Sequence, residues 1–178
     1  MAKYIYGQFY GTPLHRLIFY MILLIVLWQF FANRVWKNKI KSFTWKISNI
    51  LINVGILGVM AIVTLTARSG SASELILMPF HSFIEARIQP ELYRSMLMNV
   101  FLFFPLGLTL PYALPEKWNR KVLLSILFAM VLSIGIEFTQ YHFHLGRAET
   151  DDVICNTLGC AIGTISYLLA NRKNKASL

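Results

Sequence analysis

Charge is what this chain lacks. Only 14% of its 178 residues are charged, and only 8 are acidic against 17 Lys and Arg. An average soluble domain carries about 25% charged residues, so an ordinary water-facing surface is excluded. There is no Gly/Ser-rich or Pro-rich tract, no internal repeat and no separate soluble domain. Cysteine is limited to Cys155 and Cys160. Five residues apart on one helix, they point about 140° from each other, which excludes a mutual disulfide and a shared metal site. They fit small residues in a helix interface. Zinc signatures, phosphate-binding loops and nucleophile motifs are missing as well, so no motif assigns a metal and no cofactor is named, although Asp151 and Asp152 could hold a hard divalent cation that neutralises a phosphate.

What the chain does have is apolar length. It is 56% hydrophobic and 14% aromatic, with a mean hydropathy of +0.55. Five segments approach the roughly 20 residues needed to cross a bilayer: residues 14–32, 47–66, 96–114, 122–141 and 153–170. The expected fold is all-α and polytopic, with five transmembrane helices. The first segment has heavy charge after it and no small-residue cleavage site, so it reads as a retained span and not a removed leader. Residues 1–66 form an N-terminal pair of spans. Residues 67–171 form an interfacial segment with three further spans. Residues 172–178 form a basic tail.

The net charge of +9 does not indicate nucleic acid, because the basic residues fall in short runs between apolar segments. Arg34, Lys37, Lys39, Lys41 and Lys46 follow the first span. Lys117, Arg120 and Lys121 follow the third, and Arg172, Lys173 and Lys175 follow the fifth. These runs alternate onto one side, which the positive-inside tendency makes cytoplasmic. The N-terminus is then outside, the C-terminus inside, and acidic lipid headgroups are the natural partners of the basic runs. Residues 74–95 are too short and too interrupted by Pro79 and Pro90 to span, and they read as a segment lying in the outer interface. Pro105 is expected to kink the third span.

Polar residues in or against the last two spans concentrate the chemistry. Ser133, Glu137, Gln140 and His144 recur at spacings of four, three and four, and so do Asp152, Asn156, Gly159 and Gly163. Each set forms a helical stripe about 60° wide. Facing stripes in a hairpin would bring Gln140 to Asp151 and Asp152, and Glu137 to the level of Asn156. The glycines would let those same two helices approach closely. Ionisable groups cost roughly 2.5–3.5 kcal/mol at mid-membrane on insertion scales, so Glu137 needs a proton or a partner. Arg147 is the natural partner and Arg68 the second. Asp151 and Asp152 also suit a simple cap at a helix N-terminus. His142 and His144 suit the interface and are not spaced as a helical metal pair.

These residues carry a resemblance. Asn99, the run Phe104-Pro105-Leu106-Gly107, Glu137 with Gln140, Asp152, and Asn156-Thr157-x-Gly159 occur in order, preceded by Met78-Pro79-Phe80. In this the chain resembles the VanZ-like family of bacterial membrane proteins over residues 77–167, and Arg68 stands where many members carry an Arg. The resemblance implies a multi-pass protein of the bacterial plasma membrane. It further implies a link to resistance against glycopeptides such as teicoplanin, whose lipid tail suits a site beside the outer leaflet. It implies no settled biochemical activity.

Three functional classes follow. One is a binding or surface-modifying protein that holds a glycopeptide, membrane lipid or lipid-linked envelope precursor through Asn99, Gln140, Arg147, Asp151, Asn156 and Arg68. The second is an enzyme on a lipid-linked envelope substrate, with Glu137 and Asp152 as catalytic carboxylates. The third is a small-solute or ion pathway through the same acids, disfavoured by the absence of inverted repeats. The glycine stripe also leaves pairing with a second copy open.

Overall fold

The computed structural model describes residues 20, 23–25, 27–28, 42–66, 74–115 and 120–172. Its elements run α1 (Ser42–Thr66), β1 (Glu74–Ile76), α2 (His81–Glu85), α3 (Glu91–Ala113), α4 (Lys121–His142), β2 (Arg147–Glu149) and α5 (Thr150–Arg172). Four of these helices are long and apolar enough to cross a membrane, over Phe43–Thr64, Glu91–Ala113, Lys121–His142 and Thr150–Asn171. At 1.5 Å per residue each is about 33 Å or more long, which matches a hydrocarbon core of about 30 Å. The first expected span, residues 14–32, lies largely outside the described residues. So do Arg68 and the basic tail beyond Arg172.

The helices begin further out than hydropathy marks them. α3 starts at Glu91 and not at Met96, and α5 starts at Thr150 and not at Val153. Hydropathy registers only the apolar middle, whereas backbone hydrogen bonding inside a helix continues into its polar ends. α3 stays helical through both Pro105 and Pro111. The all-α expectation needs one correction. β1 and β2 pair in parallel, with Glu74 opposite Arg147, Leu75 opposite Ala148 and Ile76 opposite Glu149. Alternation too short to register in a sequence produces this two-stranded clasp.

α3 and α5 run parallel and make the most extensive helix contact. Glycine creates it. A Cβ at Gly107 would overlap the backbone of Cys160, one at Gly159 would overlap Val100, and one at Gly163 would overlap Phe104 and Leu108. The glycine stripe of α5 therefore faces α3 and not its hairpin partner α4, which corrects the expected packing. The hairpin face of α5 carries Asn156 and Cys160 instead: Asn156 Nδ2 donates to Ser133 Oγ at 2.8 Å and Cys160 Sγ approaches the Ser125 carbonyl at 3.4 Å. Both cysteines are free and buried, Cys155 beside Ala86 and Met96, and Cys160 in the main core with Ile56, Met60, Leu102, Phe103, Leu106 and Ala129.

Polar pins secure the rest. Thr109 Oγ1 donates to Asn53 Oδ1 at 3.0 Å, joining α3 to α1. Asn171 Nδ2 donates to the Tyr112 hydroxyl at 2.9 Å, beside the edge-on Tyr112–Tyr167 ring pair. Interhelical hydrogen bonds of this kind contribute about 0.6 kcal/mol each in a membrane bundle.

Gly163→Ala should lower the melting temperature in detergent and the membrane abundance, because overpacking costs about 1–3 kcal/mol. Gly58→Ala, where a Cβ meets nothing within 4 Å, should leave both unchanged or slightly raised.

Candidate functional site

The ends of α1 and α4 and the starts of α3 and α5 meet at one end of the bundle, and the chain between them is held by charge. The α4 helix closes with His144 in the left-handed region (φ 52). Leu145 N–H bonds back to Gln140 O at 2.9 Å and His144 N–H to Tyr141 O at 3.3 Å. This is a Schellman cap. Gly146 follows at φ 149, a conformation that favours glycine, and it turns the chain into β2.

Arg147 opens β2 and gathers three carboxylates. Its Nη2 lies 2.9 Å from Glu85 Oε2, and its Nε lies 3.1 Å from Glu149 Oε1 and 3.5 Å from Glu74 Oε2. Burial pulls the guanidinium pKa down, but the hydrogen bond with Glu85 and the charges of Glu149, Glu85 and Glu74 outweigh it, so the net direction is upward. Ser82 Oγ donates to the Glu149 carboxylate, and His81 Nδ1 stands 3.8 Å from Glu85.

Asp151, 1% exposed, has both oxygens engaged. Oδ1 accepts the Phe80 N–H at 2.6 Å and Oδ2 accepts the Ser82 N–H at 2.7 Å. Phe80 sits at φ 63, an outlier for a bulky residue. The Asp151 carboxylate holds this turn in place, so it caps the approach to α2.

Glu137, 8% exposed, accepts the Glu149 N–H at 3.0 Å. Glu137 thus fixes the backbone of β2 two residues beyond Arg147, whose ion pairs run to Glu85, Glu149 and Glu74. Gln140 Nε2 donates to Thr64 O at 2.9 Å, joining α4 to α1. Asp152 is buried in the first turn of α5.

One turn deeper lies a layer of amides. Asn156 is buried, with Nδ2 on Ser133 and Oδ1 without a hydrogen-bond partner. Asn99 Nδ2 and Thr157 Oγ1 are likewise buried and without partners. The Gly159–Val100 contact puts Asn99 within about one helical turn of Asn156 in depth. Buried polar atoms left unsatisfied cost about 1–3 kcal/mol each, so this layer is suited to accept a hydrogen-bonding group. Among the described residues, no group of three or more His, Cys, Asp and Glu could hold a metal ion.

The structure therefore brings Glu137, Arg147, Asp151, Asp152, Asn99, Asn156 and Gln140 to the same end, with Arg68 outside the described residues. The sequence reading missed Glu74, Ser82, Glu85 and Glu149 as members. For Glu74 and Glu85 a signal was present, since acids placed in an apolar interfacial segment need partners.

A match to the VanZ/LLP1 family spans residues 17–171. "Protein VanZ" of Enterococcus faecium is 36% identical over 80 residues, covering 45% of this chain and 48% of that protein. The chain thus matches about half the length of this curated relative. No solved structure matches.

Asp151→Asn should lower thermal stability by about 1–3 kcal/mol, the cost of turning an amide donor toward a backbone donor; unfolding in detergent measures it. Arg147 should give a second signature. Its raised pKa means that its contribution is complete below the ordinary guanidinium value and is lost only as pH rises through the higher folded value. In Arg147→Lys the corresponding loss should begin near pH ~10, so the melting-temperature gap between the two proteins should widen above that pH.

Proposed function

The chain belongs to the VanZ/LLP1 family, and from that premise we propose that it is a multi-pass protein of the bacterial plasma membrane whose polar end faces outward and reduces the action of a lipid-bearing glycopeptide such as teicoplanin. The observation that carries this reading is the buried polar layer at one end of four apolar helices. Glu137, Asp152 and Asn156 are buried there, Asn99 lies near the level of Asn156, and Asn156 Oδ1, Asn99 Nδ2 and Thr157 Oγ1 are buried without partners. A site of that kind suits an amphiphile, whose polar head takes the hydrogen bonds while its tail stays in lipid. The basic residues of the intervening loops supply the outward orientation.

Within the site, Asn156 and Asn99 offer an acceptor and a donor to the bound head, and Glu137 sets the position of β2. Arg147 and Asp151 act as positioning residues, because their polar groups hold the chain around the site. An enzymatic role on a lipid-linked envelope substrate would fall to Glu137 and Asp152, since both Asp151 oxygens already accept backbone N–H groups.

The test is drug susceptibility in an isogenic host carrying no protein, wild type, Asn156→Leu or Asp152→Asn, at matched membrane levels. Wild type should raise tolerance to teicoplanin more than to vancomycin, and the two variants should lose that gain. No change with wild type would remove the resistance reading.

A further inference from the structure

The segment around α2 has two unlike faces. Its inner face is bound into the polar cluster: Ser82 and Ala86 are buried, and Glu85 holds Arg147. Its outer face is apolar. Leu75, Leu77, Met78, Phe80, Ile84 and Ile88 are all exposed, with Ile88 at 85%. An exposed apolar patch of this extent on a segment outside the spans marks an interaction surface.

Its place in the fold identifies the partner. The segment lies at the end of the bundle and leads through Gln89 and Pro90 directly into α3, whose first turns expose Tyr93, Leu97 and Phe101, side chains that face lipid if α3 crosses the bilayer. The patch therefore continues the lipid-facing surface of a span. Charge on the segment is mixed: exposed Arg87 and Arg94 are offset by exposed Glu74 and Glu91. Attachment then depends on apolar burial and not on anionic headgroups.

We propose that residues 75–88 are a membrane insert. Their outer side chains enter the acyl boundary of the leaflet at this end of the bundle, and their inner side chains roof the polar cluster. The roof places that cluster beside lipid, so a ligand reaches it from the leaflet. The inference rests on the four helices crossing a bilayer and is independent of the resistance reading.

The experiment uses the full chain in vesicles, with an environment-sensitive fluorophore on Ile88→Cys or Ile84→Cys. The native Cys155 and Cys160 are buried, and unsubstituted protein gives the labelling background. Lipids carrying a shallow nitroxide should quench both labels strongly, and aqueous iodide should quench them several-fold less than free dye. The result should be the same in zwitterionic vesicles and in vesicles containing phosphatidylglycerol. Iodide quenching equal to that of free dye would place the segment in water and overturn the proposal. Shielding from both quenchers would assign the face to a protein contact and overturn it equally. Dependence on phosphatidylglycerol would overturn the apolar mode of attachment.

Discussion

The near-contact of two backbones, α3 against α5, is the constraint on which the other features depend. Lipid tails are as apolar as leucine, so membrane helices gain little by hiding apolar side chains from lipid and associate through close packing and polar contacts. Gly107, Gly159 and Gly163 remove the side chains that would hold these two helices apart. Because three contacts lie along one seam, they fix relative depth as well as distance. That depth sets Asn99 against the level of Asn156 and brings the start of α5 beside the start of α3. A shift by one turn would move every polar group of α5 by about 5.4 Å and separate Asp151 from Phe80 and Ser82.

Once the seam sets depth, electrostatics shapes the end of the bundle. Among the described residues, the acidic ones lie in the connections or near the helix ends there. Left alone, that density of carboxylates would repel itself. Arg147 draws three of them together, while Asp151 and Glu137 accept backbone N–H groups. Desolvation is limited because the guanidinium stays partly exposed, and such pairs contribute more to geometry than to net stability. The connecting chain is thereby held in one arrangement around the amide layer.

Much of this was legible in the sequence, and the part that was not has a physical reason. Four of the expected spans are helices, since long apolar runs have no other way to satisfy their backbone in lipid. The carboxylates and amides of α4 and α5 do gather at one end, because helical spacing puts them on stripes. Partner choice was not legible. The stripe holding Asn156, Gly159 and Gly163 is wide enough to touch two neighbours, and its polar member faces α4 while its glycines face α3. Gln140 also reaches Thr64, and Arg147 reaches Glu85, for the same reason: a hairpin argument sees two helices, whereas each side chain had four to choose among. The clasp of β1 with β2 had no signal at all, because three-residue strands are too short to carry one.

That clasp bears on how the protein is made. Its two strands precede and follow two entire helices, α3 and α4, both long and apolar enough to cross a membrane, so neither strand has its partner until both helices have been made. Asp151, which steadies the turn at Phe80, is translated after both helices, at the threshold of α5. A nascent chain stalled before that point exposes an open strand edge and acids without their arginine. The polar end thus closes only after α3 and α4 have been made, and its closure marks a chain that has reached the start of α5.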